Sequence, residues 1–554
     1  MSELVVRGGT VIDGTGSPGV LADIAIDHGR VTAIGSGLDG DRVLDAGGCA
    51  VAPGFIDIHT HYDGQVFWDP ALTPSCFHGV TTVIAGNCGF SIAPTRAEHR
   101  NLIARTLENV EDMDVPTLEA GIEWDFTTFP EYLASVERRG LGLNFTAYIG
   151  HTALRLFVMG ADAYERAATA EEILDMQALV REAMAAGAAG FATSLSPTHR
   201  GADGKPVPSR FAERDELEAL LGALRESGRG VAAFTPGEKL GLADLYELQP
   251  RIGRPFTYTG LLTMPGGGHR AMTELGRRGW AGGAEVWPQV TPRPLQFSMS
   301  MADPFTFNVN PKVAALMSEG MAERRTAYAS PAWRAAVMAE WETSLDFGKP
   351  RWETFVFSES AASPELNGRR VAEVARERNV DPFGLILDVA LDEPGLALRV
   401  ASVVANDDID ELRTLLLEPG CTLGLSDAGA HVSQICDAPQ ATDYLGNWVR
   451  DRELTTLEDG VRRLTKQQAD IFGLTGRGHL TPGAWADVVV FDPATIGPGP
   501  IRRVTDFPTG SERLTADAPT GVRHVLVNGV PVRTDGVQDL TARPGQLASS
   551  AGRP

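Results

Sequence analysis

Hydrophobic positions near both ends of this chain fall in short β-rich runs broken by turn signals, and between the ends they gather into short solid blocks. Residues 1–52 alternate β-rich runs (LVVRGGTVIDG, ADIAIDHGRVTAIG, RVLDAGGCAVAPG) with Asp-Gly, His-Gly and Gly-Gly turn signals, the texture of a small antiparallel sheet. The same texture returns in GAWADVVVFDP (483–493) and VRHVLVNGVPV (522–532), which predicts one small β domain assembled from both termini. The middle holds eight apolar blocks: FIDIHT, TTVIAG (81–86), LNFTAYIG (143–150), GFATSLS (190–196), GVAAFT (230–235), PFTYTGLL (255–262), EVWPQV (285–290) and TLGLSD (422–427). Helical periodicity separates several of them, in AEEILDMQALVREAMAAG (170–187) and ERDELEALLGALRESG (213–228), each closed by a glycine. Repeated βα units imply parallel strands. Eight of them imply an α/β chain folded as a (β/α)8 TIM barrel, with its chemistry at the carboxyl ends of the strands.

The resulting division is 1–52 for the first part of the β domain, 53–480 for the barrel, and 481–554 for the second part of the β domain and a tail. Residues 294 to about 400 exceed one βα connection. They include LQFSMSMADPFTF and the helical PAWRAAVMAEWETSL, and form either a lid over the strand ends or an extra packing layer. The last twenty residues are polar and rich in Gly, Pro and Ser, which predicts a loosely ordered end.

Candidate chemistry collects at the ends of the blocks. In GFIDIHTHYDG (54–64), His59 and His61 are one residue apart after an apolar strand, so both imidazoles point the same way. Such a pair is half of a divalent-metal site, although a lone HxH also occurs as satisfied core histidines. Cys88 follows the second block beside Gly89, placed for a thiolate ligand; elsewhere a lone cysteine is a small buried hydrophobe. His151 follows the third block and is open to three roles: ligand, substrate contact or structural histidine. Asp427 ends the eighth block, where a carboxylate can ligate a metal and accept a proton from water.

Composition narrows the function. The 554 residues carry a formal net charge of −23, which opposes a nucleic-acid partner. Five cysteines without a CxxC pair point to a reducing compartment, and neither a signal peptide nor an apolar run of the ~20 residues needed to span a bilayer is visible. The expectation is a cytoplasmic protein with a small-molecule substrate, no membrane partner, and a composition compatible with a homo-oligomer.

APGFIDIHTHYD, GVTTVIAGNCGFSIAP (79–94), IGHTALR, LSDAGAH, GAWADVVVFDP and VLVNG together resemble the amidohydrolase superfamily, in its D-aminoacylase (N-acyl-D-amino-acid deacylase) branch. The resemblance covers nearly the whole chain. It implies a metal-bearing barrel with a flanking β-sandwich, a zinc centre of one or two ions, Cys88 as a metal ligand and Asp427 as the catalytic base. Many relatives use a carboxylated lysine after strand four, and here no lysine occurs there before Lys205.

One departure stands out. The branch places zinc-binding histidines after strands five and six, where this chain has Phe234 and Tyr258, neither a good zinc ligand at neutral pH. His151, Glu238 or His269 could stand in, or a single metal binds. The expectation is one metal on His59, His61 and Asp427, with Cys88 as a further ligand. Arg293 and His431 are candidate substrate contacts, as are the cations of Pro-Thr-His-Arg (197–200) and Arg210, while His78 reads as structural. The expected reaction is hydrolysis of an amide C–N bond by metal-activated water, with Asp427 as base and His151 as oxyanion donor, on an N-acyl (D-)amino acid. A cyclic amide, ester or lactone hydrolase and a non-catalytic ligand-binding barrel are the rival readings.

Overall fold

The computed structural model describes residues 1–344 and 349–549. Each of the eight apolar blocks carries one strand: β1 (Phe55–Asp57), β2 (Val80–Ala85), β3 (Asn144–Gly150), β4 (Gly190–Ser194), β5 (Val231–Thr235), β6 (Phe256–Tyr258), β7 (Val286–Val290) and β8 (Thr422–Leu423). They form one curled sheet in chain order, every pairing parallel. Just beyond the two outer strands, Thr60 and Ala428 make an isolated parallel bridge, and His61 N donates to Ala428 O at 2.7 Å.

Both faces of this sheet are buried, which is why its strands read as solid apolar blocks rather than alternating ones. Ile56, Ile58, Ile84, Tyr148, Ala192, Ala233 and Trp287 share one cluster. Their strand neighbours Phe55, Val83, Phe145, Phe191, Phe234 and Phe256 join a larger cluster with the surrounding helices. The helix Ala170–Ala186 starts in a capping box, Thr169 with Glu172, and stops at Gly187, whose φ of 104° needs glycine. The helix Arg214–Ser227 ends the same way at Gly228.

The two termini meet in a single nine-stranded sheet, joined where Ala50–Pro53 pairs antiparallel with Val488–Phe491. A buried polar knot ties this sheet to the foot of β3. Asn144 Nδ2 donates to both oxygens of Asp487 at 3.2 Å, Asn528 Nδ2 donates to Asn144 Oδ1 at 2.8 Å, and Arg477 pairs with Asp487. The expected looseness of the tail is corrected here. Gly545 N donates to Leu141 O, Phe145 N to Gln546 O and Ala548 N to Phe145 O, so the segment is held by backbone bonds beside β3. Residues 550–554 of that expectation lie outside the described residues.

The long connection between β7 and β8 builds a three-stranded antiparallel sheet (Leu295–Ser300, Val356–Glu359, Arg399–Ala405). It has a core of its own around Phe307, Trp341, Phe355 and Phe383. The helical piece expected there is Pro331–Thr343; Leu345, at the end of that expected stretch, lies outside the described residues. Among the described residues no helix is long and apolar enough to cross a membrane, and all five cysteines are free.

His78 is structural, as its sequence position predicts: Nδ1 meets Thr442 Oγ1 at 2.8 Å and Nε2 meets Ala516 O at 2.7 Å. Burial among neutral partners pushes this imidazole from 6.5 down to about 3. Between those values the unfolded chain binds more protons than the folded one. The contribution of His78 is therefore intact above 6.5 and is lost as pH falls toward 3. His78→Gln can keep the donor to Ala516 but cannot titrate. Its melting temperature should drop less than the wild type's as pH is lowered from neutrality, and parallel curves would contradict this account.

Candidate metal centre

The carboxyl ends of β1, β2 and β8 bring four predicted residues together. His59 Nε2 lies 3.0 Å from Asp427 Oδ1, and His61 Nε2 lies 3.6 Å from the same oxygen. Cys88 Sγ is 3.8 Å from His59 Nε2, and ligand atoms of His59, His61 and Cys88 all fall within 4.8 Å of one another. Among the described residues this is the only such grouping of three or more His, Cys, Asp or Glu donors.

Local backbone geometry is spent on reaching it. Cys88 (φ 55°) and Asp427 (φ 45°) both sit in the left-handed region, which side-chain-bearing residues enter at a cost of about 1–3 kcal/mol each. Gly429 is obligatory, because a Cβ there would sit 2.9 Å from the His61 backbone. The strand ends are stitched by side chains. Asn87 Nδ2 donates to Ile84 O at 2.9 Å and to Ile58 O and Thr60 O at 3.3 Å, while Ser426 Oγ donates to His59 O at 2.8 Å.

Two residues that sequence reasoning missed fix the rings. Gln289, at the end of β7, gives an N–H to Thr257 Oγ1 at 3.1 Å, so its oxygen faces His59 Nδ1 at 2.6 Å. That oxygen can only accept, which places a proton on Nδ1 and leaves Nε2, the nitrogen facing Asp427, as the one that would bind a metal. Glu111 faces His61 as an ion-pair partner, its Oε1 3.1 Å from Nδ1 but not aligned as a hydrogen bond. A buried glutamine inside an apolar strand was the available signal for Gln289. Glu111, the last residue of the helix Arg100–Glu111, carried none.

The electrostatics fit a cation. Burial opposes charge on His59, yet the Asp427 carboxylate and the Cys88 thiol raise it to about 10. His61 is likewise raised well above its ordinary value against burial, chiefly by Glu111. In return, and again against burial, the imidazoles hold Asp427 well below the usual carboxylate range and lower the Cys88 thiol. Anionic groups that draw positive charge onto two buried nitrogens suit a divalent ion, and the N, S and O donor set suits zinc.

Other predicted residues stand elsewhere. His151 is a correction. Its Nδ1 meets Thr193 Oγ1 and its Nε2 meets Glu216 Oε1, both at 2.8 Å, so neither nitrogen is spare for a substrate oxyanion. Glu216 also pairs with buried Arg155. Arg293 is corrected too: it is locked by Asp437 (2.6 Å) and Asp443 (3.5 Å) instead of being offered to a substrate. His269 pairs with Glu411 at 2.9 Å, and Glu238 is exposed, so neither replaces a lost ligand. Phe234 and Tyr258 belong to the cluster shared with the helices. The opposite face of β6 ends in Thr259, 3.3 Å from His59 Nδ1. His431 packs against the stacked pair Phe297 and Phe305 of the insertion, ring centres 5.7 and 5.6 Å away. Among the described residues, Arg200 and Arg210 show no ion pair; they donate to Gly204 O and Pro197 O.

Comparison with known proteins gives a consistent picture. Residues 42–533 match the model of the Amidohydrolase family. The chain is 31% identical to a D-aminoacylase of Alcaligenes xylosoxydans xylosoxydans, over 96% of this chain and 94% of that one. The N-acyl-D-glutamate deacylase of Bordetella bronchiseptica, solved with zinc and a phosphonate mimic of its tetrahedral intermediate, is 27% identical with a TM-score of 0.67, covering 99% of both chains. A D-aminoacylase structure concerned with a binuclear metal center is 25% identical with a TM-score of 0.68, covering 99% of this chain and 100% of that one.

Gln289→Leu removes the acceptor on His59 Nδ1 without touching a ligand. Zinc affinity measured by chelator competition should fall about 10–100-fold. Unchanged affinity would show that Gln289 does not set the ring.

Proposed function

This chain belongs to the amidohydrolase family and is a hydrolase of carbon–nitrogen bonds other than peptide bonds; we propose that it deacylates an N-acyl amino acid, one of D configuration. The observation that carries this reading is the meeting of His59, His61 and Cys88 with Asp427 at strand ends from opposite parts of the sequence. The Thr60–Ala428 bridge supports taking the eight strands as a closed (β/α)8 barrel, and the sheet shared by both termini supports the flanking β-sandwich.

We assign one zinc ion to the centre, held by His59, His61 and Asp427 with Cys88 as a further ligand. Phe234 and Tyr258, packed in the core shared with the helices, supply nothing to a second ion. When bound, the ion supplies Lewis acidity toward water and the substrate carbonyl.

The chain's own residues do the rest. The two imidazoles keep Asp427 ionised and hold its Oδ1 between them, so placement rather than basicity makes it the proton acceptor. Asp427 takes a proton from the attacking water and returns it to the departing nitrogen. His431 and the aromatic wall of Phe297 and Phe305 border the entrance and limit water there. Arg200 and Arg210, without an ion pair among the described residues, are the cations offered to a substrate carboxylate.

The test is turnover of matched N-acetyl-D- and N-acetyl-L-amino acids by zinc-loaded protein, beside Asp427→Asn. The D series should be hydrolysed, and the variant should keep its fold and lose about 10²–10⁴-fold in kcat. Preference for the L series would overturn the stereochemical assignment. Near-normal kcat in Asp427→Asn would remove that residue from the reaction.

A further inference from the structure

The loop after β4 carries a histidine to which the mechanism above gives no task. The ring of His199 packs on Phe90, two residues beyond Cys88, with ring centres 5.2 Å apart. The same loop is tied to the helix that bears Glu111, since Asn109 Nδ2 donates to Gly201 O at 2.8 Å. Charges acting on the ring include those of the centre and its rim: Glu111, His431, His61 and Asp427. His199 therefore stands at the mouth of the site, between the turn that holds one ligand and the helix that orients another.

Its two nitrogens are not equivalent. Nδ1 is 2.7 Å from Ser194 Oγ, on the last residue of β4. That hydroxyl already accepts the backbone N–H of Ser196 at 3.3 Å, and among the described residues it has no other group to which it can donate. Its proton goes to Nδ1, so the neutral ring carries its own proton on Nε2. Nε2 has no protein partner among the described residues and is not sealed from solvent. Burial, reinforced by His431 and His61 against the pull of Glu111, pushes the imidazole down to about 4. It thus offers a hydrogen bond without bringing a positive charge beside a cation.

We propose that His199 is a catalytic residue: its Nε2–H hydrogen-bonds the substrate's carbonyl oxygen, and Ser194 is the positioning residue that fixes this tautomer. The inference rests on the amide hydrolysis proposed above. As water adds to the carbonyl carbon, the C=O π pair moves onto oxygen and one water proton passes to Asp427. His199 stabilises the developing oxyanion without transferring its own proton. When the pair re-forms the carbonyl, the C–N bond breaks and the proton held by Asp427 goes to nitrogen, leaving a carboxylic acid and an amine. This is the task that the sequence alone gave to His151, whose nitrogens are both occupied.

The experiment compares zinc-loaded wild type with His199→Ala, His199→Gln and Ser194→Ala. It uses the best N-acetyl-D-amino acid and a phosphonate analogue of it as the tetrahedral mimic. His199→Ala should lose about 100-fold or more in kcat/KM, through kcat, and bind the phosphonate correspondingly more weakly. Its zinc content and KM should be little changed. His199→Gln, which retains an N–H donor, should recover much of the loss, and Ser194→Ala should fall between. Full kcat with normal phosphonate affinity in His199→Ala would overturn the inference and leave the hydrolase reading standing. Equal losses in Ala and Gln variants with reduced zinc content would make the residue structural and overturn it as well. A fully zinc-loaded wild type that hydrolyses no N-acyl amino acid would overturn the reading and the inference together.

Discussion

The contact between Asp427 and the two imidazoles of the HxH pair is the constraint around which the rest is arranged. It joins the loop after the first strand of the parallel sheet to the loop after the last, with the rest of that sheet between them in sequence. Four ionisable groups share a buried space where isolated charge costs several kcal/mol, and only mutual compensation makes that tolerable. The same compensation defines what the site wants, a compact positive charge placed among nitrogen, sulfur and oxygen donors. Left-handed backbone at Cys88 and Asp427, and a glycine that lets Asp427's loop lie against His61, are the local concessions made to it.

Much of this was legible before any coordinates. The eight blocks stood out because a parallel sheet is buried on both faces, so burial overrides alternation. His59, His61, Cys88 and Asp427 stood out because each lies at or just past the end of a block, and strand ends are where such a sheet presents its chemistry. The tail was misread for the opposite reason. Its polar composition hides backbone bonds to Leu141 and Phe145, and composition reports nothing about main-chain partners.

Partner choice explains the remaining misreadings. His151 and Arg293 are the right residue types at strand ends, yet Glu216 with Thr193 captures the first, and Asp437 with Asp443 captures the second. Those partners lie between 42 and 150 positions away in sequence and become neighbours only through folding. Gln289, Glu111 and His199 were undervalued by the same blindness, since each acquires its role from the ring, carboxylate or hydroxyl beside it. Phe234 and Tyr258 illustrate a further point. Where the resemblance implies histidine ligands, these two aromatic side chains pack into the core shared with the helices and give the centre no donor.

The most direct measurement is zinc-edge X-ray absorption on protein loaded with one equivalent of zinc. The account predicts a single zinc environment with two imidazole nitrogens, one thiolate sulfur and an oxygen ligand, the sulfur contribution vanishing in Cys88→Ala. A spectrum without sulfur, with three or more imidazoles, or with a zinc–zinc scattering path would contradict it.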